Sequence, residues 1–157
     1  MKKTDMKIIT QLRMNGRTSL SELARNTGLP VSTVHDRLRQ HRQNGLLRPS
    51  AIVNFEKIGL ATRAHILLAV ETDQKDKLYA HLKDHPNVNS LFRINNGWSA
   101  VMECVFKEMN DLENFLEQIE NTFKIKQKQV HYTLEEMKRE GSMATQDIAQ
   151  SLNTSNS

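Results

Sequence analysis

The 157-residue sequence predicts an α+β protein in which three short helices precede a domain with the element order βαββαβ. Two observations carry this prediction. In residues 1–45, stretches with helical apolar spacing end at Gly16, Gly28 and Gly45. In residues 61–134, apolar strand-like runs alternate with amphipathic stretches, and Asn96-Gly97 separates two of the runs as in a tight hairpin.

The first two helices are predicted from their apolar spacing and their end signals. Apolar residues recur at helical spacing over residues 8–12, and Asn15-Gly16 ends the first helix. Ser19 precedes Glu22 by three residues, which is the spacing of a capping box with reciprocal side-chain-to-backbone bonds. Gly28 ends the second helix, because glycine readily adopts the left-handed conformation of a helix C-terminus.

A third helix is predicted over residues 31–44, ending at Gly45. Its apolar stripe consists of Val31, Val34 and Leu38, continued by His41. Residues 46–48 and 51–55 predict two short strands around Pro49-Ser50, which would form a wing. A short helix, a glycine turn and a polar helix are together typical of a winged helix-turn-helix, which places its second helix in the major groove of DNA.

The charge distribution agrees with a polyanion partner for this part of the chain. Residues 1–55 carry ten Lys/Arg and three Asp/Glu, a net charge of +7, whereas residues 56–157 carry twelve and fifteen, a net charge of −3. The predicted base-contacting residues, all able to hydrogen-bond to base edges, are Ser32, Thr33, His35, Asp36 and Arg37. The predicted phosphate-contacting residues, all cationic, are Lys2, Lys3, Lys7, Arg39, Arg42 and Arg48. The alternative is a purely structural helical bundle with a solvated basic surface.

The second part of the chain predicts a ferredoxin-like βαββαβ domain. Residues 56–60 form a connecting turn, residues 61–72 a buried strand and residues 77–85 an amphipathic helix. Two strands over residues 88–94 and 98–106 flank Asn96-Gly97, which predicts a type I′ turn with positive φ at both central positions.

The last two elements and the tail complete this domain. Asn110 is predicted to cap a helix that reaches Phe123, and residues 125–134 predict the last strand. One face of the helix is apolar and consists of Leu112, Phe115, Leu116 and Ile119. From Gly141 onward the chain is rich in Ser, Thr, Asn and Gln and predicts a loosely held tail, with one helical turn near Ile148-Leu152.

Several function classes are excluded or disfavoured by the composition. No apolar signal core follows the first residues and no apolar run reaches membrane-spanning length, so we expect no secretory signal. The single cysteine excludes an intrachain disulfide framework, and we therefore expect a cytoplasmic protein. Cys104 is expected to be a buried small apolar residue. His81 and His85 have the spacing of two metal ligands, but no third ligand is evident, so we expect neither a metal nor another cofactor.

The segment SELARNTGLPVSTVHDRLRQHRQNGLL resembles the helix-turn-helix of the Lrp/AsnC (leucine-responsive, feast/famine) transcription regulators. VNSLFRINNGWSAVMECVFKEMNDLENFL is similar to the hairpin, third strand and following helix of the same family. The resemblance implies a DNA-binding domain over residues 1–55, a connector over 56–61, an RAM/ACT-like effector-binding and oligomerisation domain over 62–140, and a polar tail over 141–157. It also implies double-stranded DNA as partner, self-association into dimers or octamers, and no enzymatic activity.

Two departures from the family pattern bear on function. Pro30-Val31 stand where the family has Ser then Pro, so a side-chain cap on the third helix is expected to be missing. Ser99 stands where the family has an acid beside the hairpin, a region that holds amino-acid effectors in the family. The resemblance therefore implies an effector site, for an amino acid or another small molecule, at Asn95, Asn96, Gly97, Trp98 and Ser99.

Two other functions remain open from the sequence. Sirohaem decarboxylases share this layout, but the His and Tyr expected around their hairpin are absent here, where Asn95, Asn96, Trp98 and Ser99 stand. A DNA-architectural protein without an effector is the second alternative.

Overall fold

The computed structural model describes residues 2–144, which form two compact units. One unit comprises residues 2–51 together with 137–144, and the other comprises residues 52–136. Most of the predicted polar tail, with its helical turn near Ile148-Leu152, lies outside the described residues. Over residues 2–144, no helix combines the length and the apolar character that crossing a membrane requires.

The first unit contains the three predicted helices, α1 (Lys3–Met14), α2 (Leu20–Thr27) and α3 (Val31–Gln43). At the start of α2, the Ser19 hydroxyl accepts a hydrogen bond from the Glu22 backbone N–H at 3.2 Å. The reciprocal bond, in which the Glu22 carboxylate would accept from the Ser19 backbone N–H, is not formed, so half of the predicted capping box is confirmed. Gly28 ends α2 with a φ of 70°, which confirms the predicted left-handed C-terminus.

The core of this unit follows the predicted apolar positions. The buried residues are Ile8, Leu23, Ala24, Val34 and Leu38. Val31 is 46% exposed, so its assignment to the apolar stripe of α3 was wrong, because the first turn of the helix projects beyond the core. No side chain caps α3, as expected from Pro30 at its N-terminus.

The predicted wing strands are absent: residues 46–55 contain no strand. Leu47 instead packs against the helical core, and its N–H donates to the His41 carbonyl at 2.9 Å. Pro49 has no N–H for a ladder, and a short two-stranded hairpin is only marginally stable without a sheet to pair with. The segment after α3 is therefore an extended chain that the end of α3 holds at Leu47.

The second unit has the predicted βαββαβ order and a four-stranded antiparallel sheet. A 3-10 turn at Glu56–Ile58 leads into β1 (Thr62–Val70), and a second 3-10 turn at Thr72–Gln74 leads into α4 (Lys75–Lys83). The remaining elements are β2 (Val88–Arg93), β3 (Ala100–Phe106), α5 (Met109–Thr122) and β4 (Ile125–Tyr132). The strand order β2-β3-β1-β4 confirms the ferredoxin-like fold.

The helices cover one face of this sheet. Alternate residues of β1 and β3, including Ile66, Leu68, Met102 and Cys104, are fully buried against the apolar face of α5. Cys104 is thus the buried apolar residue that was predicted, and burial raises the pKa of its thiol to about 12. Neither α4 nor α5 packs on the opposite face of the sheet, which includes Phe92, 61% exposed.

The cap of α5 differs from the prediction. Glu108, and not Asn110, is the N-cap, and the Asp111 carboxylate accepts from the Glu108 N–H at 3.4 Å. A Glu108/Asp111 capping box starts the helix at Met109, which leaves Asn110 inside the first turn.

Candidate functional site

The outer face of α3 presents polar and cationic side chains. Val34, Leu38 and His41 fix the helix on the core, since all three are buried. The opposite positions, at spacings of three and four residues, are exposed: Ser32, His35, Asp36, Arg39 and Arg42. The structure therefore brings five of the predicted DNA-contacting residues to one face of one helix.

Ion pairs link three side chains on this face. The Asp36 carboxylate lies 3.5 Å from His35 Nδ1 and 3.8 Å from the Arg39 guanidinium, and all three side chains are more than half exposed. Such exposed pairs are weak, so each side chain can exchange its partner for a base or a phosphate at small cost.

Two predicted base-contacting residues lie off this face. Thr33 is half-buried, and the Arg37 guanidinium lies 3.6 Å from the buried carboxylate of Asp5. Among the predicted phosphate contacts away from α3, Lys2, Lys3, Lys7 and Arg48 are exposed.

Sequence reasoning missed a buried polar junction between α1 and α3. Asp5 Oδ1 lies 3.2 Å from His41 Nε2, and both side chains are less than a tenth exposed. Asp5 Oδ2 also accepts from the Lys2 backbone N–H at 3.2 Å. His41 Nδ1 is buried without a partner among the described residues. The polar side chain of His41 on the apolar stripe of α3 was the only signal of this junction in the sequence.

The β2–β3 hairpin forms the second candidate site. Asn96 and Gly97 have φ values of 61° and 88°, as predicted for a type I′ turn. All five predicted effector residues line one cavity of about 450 Å³ beside this turn: Asn95, Asn96, Gly97, Trp98 and Ser99. Sequence reasoning missed the cationic and aromatic residues that complete the lining: Lys75, Tyr79, Arg93 and Lys126.

Ser99 is a structural residue of this cavity. It is only 3% exposed, and its hydroxyl accepts from the Val70 N–H at 3.2 Å. The Ser99 N–H donates to the Leu68 carbonyl at 2.8 Å, and the Tyr79 hydroxyl donates to the Ser99 carbonyl at 2.9 Å. Through these hydrogen bonds Ser99 connects the hairpin to β1 and α4.

The predicted histidine pair on α4 packs on aromatic residues. His81 contacts Phe123 and His85 contacts Phe115, with ring centroids 5.5 and 4.7 Å apart. Burial, and secondarily the nearby His81, lowers the pKa of His85. Within residues 2–144, no group of three or more His, Cys, Asp or Glu side chains could hold a metal ion.

Family models match both parts of the chain. Residues 1–40 match an AsnC-type helix-turn-helix domain, and residues 63–143 match the Lrp/AsnC ligand binding domain.

Similar proteins include the HTH-type transcriptional regulator FL11 of Pyrococcus horikoshii, 30% identical over 116 residues that cover 73% of this chain and 77% of that protein. The regulator LrpA of Mycobacterium tuberculosis is 29% identical over 124 residues, which cover 78% of this chain and 83% of LrpA.

The solved structures similar to this chain are also those of transcriptional regulators. The crystal structure of M. tuberculosis LrpA matches with a TM-score of 0.79 and 27% identity, covering 89% of this chain and 97% of that one. A transcriptional regulator of Neisseria meningitidis in complex with L-Met matches with a TM-score of 0.79 and 26% identity, covering 88% and 93%. These comparisons support a transcription regulator and give no support to a decarboxylase or an architectural protein.

Proposed function

The chain belongs to the Lrp/AsnC family of helix-turn-helix transcription regulators, and from this premise we propose that it binds a defined sequence of double-stranded DNA as a homodimer. The observation that carries the proposal is the outer face of α3, which is exposed, polar and cationic along its length. A regulator shares a compartment with its DNA, so we place the protein in the cytoplasm.

Residue roles on α3 follow from their chemistry and position. Ser32, His35 and Asp36 lie in the first half of the helix, where side chains reach base edges in the major groove. The Asp36 carboxylate is suited to accept from a cytosine amino group. Arg39 and Arg42 lie in the second half and are suited to phosphates, as are Lys2, Lys3, Lys7 and Arg48 outside this helix.

The sheet face that α4 and α5 leave uncovered supports self-association. The register places Phe92, Val101, Leu67 and Gln129 side by side across all four strands, on the face away from α5. We assign this face to the homodimer interface, which would set two α3 helices about 34 Å apart, or a multiple of that, on a pseudo-palindrome. Sedimentation analysis of the intact chain distinguishes a dimer from the octamers implied by the family resemblance.

The hairpin cavity is our proposed effector site, because it is bounded by the five residues Asn95, Asn96, Gly97, Trp98 and Ser99 and has the volume of a metabolite pocket. A ligand there would alter DNA affinity by favouring one arrangement of the assembled subunits.

Selection of bound duplexes from a random pool tests the DNA-binding proposal. We expect one enriched pseudo-palindrome, bound with an affinity that falls as salt rises. Arg39→Gln should weaken all duplexes alike and lower the salt slope by about one, whereas Ser32→Ala should weaken the selected sequence more than a random one.

Lys124→Gln is the matched control, since it removes the same charge at an exposed position just after α5. It should leave both affinity and salt slope unchanged. No enrichment, or equal effects of the Arg39 and Lys124 substitutions, would contradict the proposed function.

A further inference from the structure

We propose that the hairpin cavity takes a small organic anion, a molecule with carboxylate or phosphate groups and no ammonium group. The inference rests on the proposed effector site and names the chemical class of its ligand.

Three cations from three separate elements converge on this cavity. Lys75 begins α4, Arg93 ends β2 and Lys126 lies near the start of β4. No Asp or Glu is among the residues that line it. The Lys126 ammonium is 3.0 Å from the Glu71 carboxylate, which offsets one of the three charges.

The other two cations are available to a ligand. Within residues 2–144, no carboxylate forms an ion pair with Lys75 or with Arg93.

No carboxylate lines the cavity to receive an ammonium group, and the Glu71 carboxylate beside Lys126 is already paired with that lysine. The Ser99 hydroxyl accepts from the Val70 N–H, and the Tyr79 hydroxyl donates to the Ser99 carbonyl. An amino acid would therefore bring its ammonium next to Lys75 and Arg93 with no carboxylate to pair with. A ligand that carries only negative charge can form charge-assisted hydrogen bonds with both the Arg93 guanidinium and the Lys75 ammonium.

The dimensions of the cavity suit a metabolite. Its volume of about 450 Å³ lies within the range of about 300–1,000 Å³ found for small-molecule sites. Trp98 is half-buried and supplies an apolar wall for the carbon skeleton of the ligand, while the cations bind its charged groups.

Calorimetric titration of the intact chain at constant ionic strength tests the inference. The probes are 2-oxoglutarate, citrate and glycerol 3-phosphate as anions, against L-leucine and L-methionine as amino acids. We expect saturable binding of at least one anion and weaker or no binding of the amino acids. Tighter binding of either amino acid, or no binding of any of the three anions, would overturn the inference.

Charge-removing variants locate the binding. Arg93→Gln and Lys75→Gln should each raise the Kd for the bound anion by about 10-fold or more, as expected for the loss of a charged hydrogen bond. Lys124→Gln removes an equal charge outside the cavity and should change the Kd less than about twofold. Equal effects of all three substitutions would show that the net charge of the protein, and not the hairpin cavity, determines anion binding, and would refute the assignment of the site.

Failure of this inference is distinct from failure of the proposed function. A chain that selects a duplex but binds no anion retains the regulator assignment and loses the anion site. A chain that binds an anion at Arg93 but selects no duplex keeps the anion site and loses the DNA-binding proposal.

Discussion

Removal of the Asp5 carboxylate tests whether the buried junction holds α3 in place. Asp5 Oδ1 lies 3.2 Å from His41 Nε2 and 3.6 Å from the Arg37 guanidinium, and Asp5 Oδ2 accepts from the Lys2 N–H. Asp5→Ala removes all three contacts. It also leaves His41 buried with neither ring nitrogen partnered by a described residue.

The magnitude follows from the two roles of the carboxylate. A buried hydrogen bond to an ionised group contributes about 1.5–3 kcal/mol, and the cap contact at the start of α1 about 1 kcal/mol. Because the site relaxes in part, we expect Asp5→Ala to lower the free energy of unfolding of the helical unit by about 2–4 kcal/mol.

Two probes separate the units in a urea titration. Trp98 is the only tryptophan and lies in the second unit, so its fluorescence follows that unit, whereas far-UV circular dichroism follows the helices of both. Asp5→Ala should shift part of the dichroism transition to lower urea and leave the fluorescence transition in place.

Asp36→Ala is the matched control, because Asp36 is an exposed acid with two weak ion pairs. It should cost less than about 0.5 kcal/mol. If Asp5→Ala costs no more than Asp36→Ala, the junction does not stabilise the helical unit and the reasoning fails.

Three further predictions concern the second unit. Burial against Phe115 lowers the pKa of His85, so the unfolded chain binds a proton more readily than the folded one. The free energy of unfolding should therefore fall as the pH drops through about 6.5. In a pH series of thermal melts, His85→Gln should reduce this pH dependence. Since the pKa of Cys104 is about 12, a thiol reagent at about pH 8 should react with the denatured chain but only slowly with the folded one; rapid reaction of the folded chain would contradict this. Gly97→Ala should lower the free energy of unfolding, followed by Trp98 fluorescence, by about 1–2 kcal/mol. The added Cβ would contact no other atom, but a φ of 88° strains the backbone of an alanine. A loss below about 0.5 kcal/mol would refute this prediction.

Local signals in the sequence predicted most of the fold. Ser19 and Gly28 mark the ends of α2, and Asn96-Gly97 marks the hairpin, because each acts through its own backbone or its nearest neighbours. The prediction of wing strands was wrong because strand formation depends on a partner and not on local signals alone. Strand propensity over residues 46–55 becomes a strand only if a partner strand is present, and the contacts of Leu47 with the helical core compete with that pairing.

For the candidate sites too, the sequence predicted contiguous residues and missed residues that are distant along the chain. The stretch from Asn95 to Ser99 was found because it is contiguous, whereas Lys75 and Lys126 join the same cavity from distant parts of the chain. Asp5 and His41 are likewise 36 residues apart. Such convergence depends on the packing of elements, which periodicity and capping signals do not specify.

Net charge and local charge lead to different ligands in the two parts of the chain. In residues 1–55 net charge and local charge agree: the buried Asp5 is paired with Arg37, and the other nine Lys/Arg and two acids still carry a net charge of +7. In residues 56–157 they disagree, since a net charge of −3 would favour a cation, yet the hairpin cavity is lined by Lys75, Arg93 and Lys126 without an acid. Net charge governs long-range steering, whereas the groups within hydrogen-bonding reach decide what a site holds. The anion assignment therefore follows from the cavity and is independent of the acidic character of its domain.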